Sequence, residues 1–188
     1  MESMEVLDSN VYRQKVWEQV KEMVAFVEQA VEARSAAHEI ERGLWKRMLT
    51  LGHGCLKLFF SLCGDGDEGA ELCLPEGRVL QRLPERHARP YQSVFGPFEL
   101  ARVVYGTREG QKIEAVPLDE RLRLPESKFS YLLQEWTQPS IVQLPYAQAR
   151  TLLAPILPHL PAVHSLERIH REWASDVAPF WDAAPRRP

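Results

Sequence analysis

From Val16 to Val31 the apolar positions Val16, Val20, Met23, Val27 and Val31 step by four, three, four and four, with Trp17 and Val24 widening the stripe and charges opposite. That spacing predicts an amphipathic helix, with Asp8 or Ser9 able to cap its start. A second stripe is cleaner: Ile40, Leu44, Met48, Leu51, Cys55, Leu58 and Leu62 step by four, four, three, four, three and four. It predicts a second long helix. Ala36 and Ala37 punctuate weakly, so one bent rod and a hairpin of two helices both fit. Gly52 and Gly54 each weaken the second helix by about 1 kcal/mol relative to alanine, which points to close packing against a neighbour.

The pattern then changes. GDGDEG, Gly64 to Gly69, ends the helix with a glycine suited to a left-handed cap. Short runs follow: Ala70 to Leu74 and Val79 to Leu83 around the turn PEGR, then Tyr91 to Phe95, Phe98 to Tyr105 and Gln111 to Val116, separated by Gly96-Pro97 and GTREG. They predict a small antiparallel sheet. Pro117 and Pro125 fix φ and withdraw two donors, so Pro117 to Leu124 reads as an extended, turn-forming connector. Ser127 then caps a helix whose Phe129, Leu132, Leu133 and Trp136 share one apolar face, a buried strut. Pro139 and Pro145 bracket a short irregular link. Tyr146, Ala149, Leu153 and Ile156 give a compact helix, Pro155, Pro158 and Pro161 break the chain, and Ser165 caps a last helix with Leu166, Ile169, Trp173, Val177 and Phe180 on one face.

The class is therefore α+β: long N-terminal amphipathic helices, a small antiparallel β-sheet in the middle, and a helical, helix-turn-helix-like last third. The regions are 1–64, helical; 65–126, β with a connector; 127–182, helical; and 183–188, a linker.

With 45% apolar residues the chain can build a core. The net charge is only −3 but unevenly spread. Met1 to Gly77 holds 8 basic and 14 acidic residues, whereas Arg78 to Lys112 holds 7 basic and 3 acidic. A basic middle permits a polyanion partner. Cys55, Cys63 and Cys73 are odd in number and read as reduced, buried thiols. No run approaches the length of a membrane span, and the acidic start MESMEVLDSN lacks a signal-peptide core, so a cytoplasmic protein is expected.

No P-loop, GxGxxG, HExxH, GxSxG or C-x-x-C occurs, and the six histidines are scattered. His164 and His170 lack the spacing that places two ligands on one helix face, so no metal is expected, and surface positions account for the histidines. Asp65, Asp67, Glu71 and Glu76 fall at positions one, three, seven and twelve of a calcium loop, but the required glycine is Ala70; a turn is the reading. Asp119, Glu120 and Glu126 are interleaved with Arg121 and Arg123, as in a solvated, self-paired loop. The helices Tyr146 to Ala154 and Ser165 to Val177 have the proportions of a helix-turn-helix, joined by ten residues with three prolines instead of a short turn.

Three stretches together resemble the N-terminal region of bacterial insertion-sequence transposases of the ISKra type: LWKRMLTLGHGCLKLFFSLCGDGD, RPYQSVFGPFELARVVYGTREGQKIEAVPLDERLRLPESKFSYLLQEW and SLERIHREWASDVAPF. The middle stretch is the most specific, with YGTREGQK, PLDERL and KFSYLLQEW in that order. The resemblance implies a region that precedes an RNase H-like DDE core, whose carboxylates hold two metal ions. This chain contains no such strand-borne carboxylate set, so no catalytic residue and no cofactor is expected in it, magnesium belonging to the absent core. Some distant relatives carry cysteine pairs that suggest a zinc ribbon; here the corresponding loop is Gly106, Thr107, Arg108, Glu109, Gly110, and zinc is not carried over.

Two functional readings follow. In the first, the chain recognises double-stranded DNA at transposon ends, with Arg78, Arg82, Arg86, Arg89, Arg102, Arg108 and Lys112 neutralising phosphates and Arg168 and Arg171 touching bases. In the second it is a non-catalytic assembly module, or a truncated remnant acting as a regulator, that self-associates through its N-terminal helices.

Overall fold

The computed structural model describes residues 9–107 and 113–175, and its fold is α+β, as the pattern predicts. It divides into two units: Met1–Tyr91 with Pro97–Lys128, and Gln92–Gly96 with Phe129–Pro188.

In the first unit, α1 (Ser9–Glu32) and α2 (Ala37–Cys63) form an antiparallel hairpin, which decides between the bent rod and the pair. The turn uses Arg34 at φ 52, with the Ser35 N–H returning to the Ala30 carbonyl, and Glu39 reaches back to the Ala36 N–H at 3.3 Å. The seam differs from the apolar stripe of α1. It runs along Tyr12, Val16, Gln19, Met23, Phe26 and Ala30, while Trp17 and Val31 are 61% and 75% exposed. On α2 it is lined by Gly43, Arg47, Gly54 and Lys57: a Cβ on Gly43 would enter the Phe26 ring, one on Gly54 would meet the Gln19 amide, and Lys57 lies over the Tyr12 ring. The Cys55 and Cys73 thiols are free and exposed and Cys63 is half-buried, which corrects the expectation of buried cysteines.

The strands form two small sheets where the spacing suggests one. β1 (Glu71–Cys73) pairs antiparallel with β2 (Val79–Arg82), Leu72 opposite Leu80. β3 (His87–Ser93) and β4 (Gly96–Arg102) make a separate hairpin, and β5 (Tyr105–Gly106) completes the first sheet against β2. Gly96-Pro97 thus opens a strand where a break was expected, its tight approach made by Gly96 at φ 126. Leu80, Val103, Tyr105 and Ala115 fill one core. Phe60, Phe98 and Leu100 fill another, with Phe60 edge-on to Phe98 at 5.4 Å and to Tyr91 at 5.6 Å. His53 stacks on Phe98, so it is a packing residue, not a surface one.

The supposed extended connector is helix α3 (Pro117–Leu122). Proline is tolerated at the first helical position because that N–H has no intrahelical partner, and Asp119 and Glu120 complement the positive end of the dipole. Arg123, left-handed at φ 48, closes it, and Arg121 donates to the Cys63 carbonyl at the end of α2. Gly66 is needed beneath this helix: its φ is 80, and a Cβ there would stand 2.8 Å from the Leu118 nitrogen.

In the second unit, α4 (Tyr131–Gln143) starts later than expected. Ser130, not Ser127, is its cap and accepts from the Leu133 N–H at 3.1 Å. The helix runs on through Pro139, where a break was expected, because the carbonyl that loses its partner belongs to exposed Glu135. Its inner face is Leu133, Gln134, Thr137 and Ile141, while Leu132 and Trp136 are exposed, so the strut is turned from the predicted face. Gln134 explains this, donating to the Phe129 carbonyl at 2.7 Å and accepting from the Trp173 indole at 2.7 Å. α5 (Tyr146–Leu153) and α6 (Val163–Ser175) follow, with buried Ser165 inside the first turn of α6 rather than at its cap. Leu166 and Ile169 are fully buried, and Val177 and Phe180 lie outside the described residues. The core joins Phe129, Leu133, Leu157, Leu160 and Ile169 to Val94.

Candidate functional site

The basic middle of the sequence is laid out on β2, β3, β4 and their loops, and the described arginines there sit beside carboxylates. Arg78 bonds Glu114 at 2.8 Å and Glu76 at 3.3 Å; Arg82 bonds Asp67 at 2.6 Å; Arg86 bonds Asp65 at 2.8 Å. These three are about half exposed. Two of the partners are held as carboxylates: the hydrogen bond from Arg78 keeps Glu114 below the usual range, and the Gly69 N–H, with Arg82 and Tyr105, does the same for Asp67.

Arg89 and Arg102 are different. Only 14% and 13% of their side chains are exposed, and both guanidinium groups converge on the Asp119 Oδ2, itself on α3 and 18% exposed. Arg89 also donates to the carbonyls of Pro125 and Ser127, and Arg102 to that of His87. The pair therefore pins α3 and the following loop onto the β3–β4 hairpin. Asp119 is thus a fixed ion-pair partner on a helix and not part of a solvated loop; the sequence signal for this is proline at the first helical position followed by an acidic first turn, the pattern of a helix start.

Asp65 and Asp67 make turn contacts. Asp67 Oδ1 accepts from the Gly69 N–H at 2.9 Å, and the Tyr105 hydroxyl accepts from the Glu68 N–H at 2.8 Å and donates to the Gly69 carbonyl at 3.0 Å. Among the described residues no group of three or more His, Cys, Asp or Glu stands close enough to hold a metal, and no helix is long and apolar enough to cross a membrane.

In the second unit, Arg168 and Arg171 lie on the exposed face of α6, each facing a glutamate one turn away: Glu172 at 3.7 Å and Glu167 at 2.8 Å. His170, inward of them, bonds the Tyr146 hydroxyl at 3.2 Å. Arg108 and Lys112 lie outside the described residues. No family model, no curated protein and no solved structure matches this chain.

Proposed function

We propose that this chain is a non-catalytic assembly module of an insertion-sequence transposase of the ISKra type, acting in the bacterial cytoplasm ahead of a separate catalytic core and holding copies of the protein together on transposon ends. The observation that carries this reading is the hairpin of α1 and α2, which leaves Trp17, Val24, Val31, Met48 and Leu62 exposed. Contiguous apolar surface of that extent on a soluble chain marks an interaction site. Sedimentation equilibrium of the purified chain tests it: a mass above the monomer is expected in the micromolar range, falling towards the monomer in Met48→Glu. A concentration-independent monomer sinks the reading.

Contact with DNA is the second part of this reading, supported by Arg78, Arg82, Arg86, Arg168 and Arg171, whose ion pairs are exposed. Ion pairs so exposed are weak, because water and salt screen them, so phosphates can displace the carboxylates. Phosphate contacts are assigned to Arg78, Arg82 and Arg86 and base contacts to Arg168 and Arg171, while Arg89 and Arg102 serve Asp119. Three phosphate contacts give a slope of log K against log salt of about −3, shallower by about one in Arg86→Ala. Binding to element-end duplexes with a slope indifferent to Arg86 removes this part.

A further inference from the structure

We infer, resting on the assembly role proposed above, that the α1–α2 hairpin docks face to face on the same hairpin of a second copy, α1 antiparallel to its counterpart, to make a four-helix interface. On α1 the residues Trp17, Val20, Val24, Val27 and Val31 lie one position past the seam, about 100° round the helix. On α2 the residues Leu44, Met48, Leu51, Cys55, Leu58 and Leu62 stand in the same relation to Gly43, Arg47, Gly54 and Lys57. Because the two helices run antiparallel, a turn of the same sense from each seam brings both rows to one side of the hairpin. The other side of α2, with His53, Leu56 and Phe60, is covered by the β3–β4 core. The ribbon is thus a single apolar face, and the rest of the first unit is packed behind it.

Two observations name a second copy as its occupant. The first is area. With Trp17, Val24, Val31, Met48 and Leu62 each at least half exposed, the ribbon offers on the order of 700–900 Å² per protomer, what a standard interface takes from each partner, about 800 Å². The second is self-complementarity. Lys21 and Glu28 lie on the outer edge of the ribbon, seven residues apart, with Val24 between them, and both are exposed. A two-fold axis passing near Val24 sets Lys21 against the partner's Glu28 twice over. The same axis sets wide Trp17 against the partner's Val31, a small side chain opposite a large one. An unrelated apolar surface would have no reason to match this palindrome.

Sedimentation of the full chain combined with thiol alkylation tests it, because Cys55 is on the ribbon whereas Cys73, on β1, is not, and both are exposed. A dimer is expected whose formation slows iodoacetamide modification of Cys55 several-fold while Cys73 reacts unchanged, both rates read by mass spectrometry. Val24→Glu should give a folded monomer with fast Cys55. Lys21→Glu should weaken the dimer about tenfold, by turning two weak attractions into repulsions, and adding Glu28→Lys should restore it. An oligomer that leaves Cys55 fully reactive overturns the inference but keeps the assembly role on some other surface. A monomer at every concentration removes both. Protection of Cys55 without rescue by the double swap overturns the antiparallel arrangement.

Discussion

The Arg47 guanidinium lies over the Phe26 ring, its central carbon 3.6 Å from the ring centroid. Arg47 also donates to the Gly43 carbonyl at 3.2 Å, so the ring is held between a cation and a bare stretch of helix backbone. A methyl group at Gly43 would stand 2.8 Å from the ring's Cε1, and the ring cannot retreat without leaving the cation. Gly43→Ala should therefore lose about 1–3 kcal/mol to overpacking against a helix-propensity gain of about 1 kcal/mol, for a net lower urea midpoint. Gly54→Ala should do the reverse. Its methyl meets the flexible amide of Gln19, whose Oε1 is buried with no hydrogen-bond partner, so the side chain swings away and the midpoint rises. Equal losses at both positions would contradict this account.

Asp119 is the counter-charge for two largely buried guanidinium groups, and removing it deprives both of that partner. Asp119→Ala is expected to cost about 3 kcal/mol, the order found when one member of a buried pair is deleted. A double-mutant cycle with Arg89→Ala should return a coupling above about 1 kcal/mol. In DNA titrations Arg89→Ala should leave the salt slope of the folded protein unchanged, in contrast to Arg86→Ala. Independent, additive losses would mean that the clamp is decorative.

The Tyr105 hydroxyl lies 3.4 Å from Asp67 Oδ1, and the two groups should make stability depend on pH at both ends. Asp67 is held below the ordinary carboxylate value, first by the Gly69 N–H, so it contributes stability above about pH 3.9 that is lost as pH falls through its folded value. Tyr105 is pushed up, chiefly by burial, with the Asp67 charge adding to it. Its contribution is full below about pH 10 and is lost as pH rises through the folded value. Thermal melts across pH should show Asp67→Asn flattening the acid limb and Tyr105→Phe flattening the alkaline one. Unaltered limbs in both variants would show that the contact is not linked to folding.

The helices of the first third were legible because their apolar spacing is regular, but their mutual contact was not. Gly43, Arg47, Gly54 and Lys57 form the α2 side of the seam from residues that no hydrophobic pattern marks, and of the regular α1 stripe only Val16 and Met23 reach it. Periodicity reports that a face is apolar, not which neighbour covers it. The turn PEGR and the flanking strands were readable because their chemistry is local. Helix α3 was misread because two prolines outweighed the acidic first turn, and α4 because a proline facing solvent gives up a hydrogen bond that water replaces. The arginines were visible as charge, yet the Arg89–Asp119 pair spans thirty positions, and sequence order carries no sign of such a partnership.

The β3–β4 hairpin is split between the two units, its tip Gln92–Gly96 belonging with the last three helices. Val94 closes their core beside Phe129 and Leu133, and the Gln92 carbonyl accepts from the Ser130 N–H at the start of α4. The helical third is therefore not a cassette. Recombination or subcloning that cuts once before Phe129 strands Val94 on the wrong piece, so this unit travels through gene rearrangement only in company with the hairpin that precedes it.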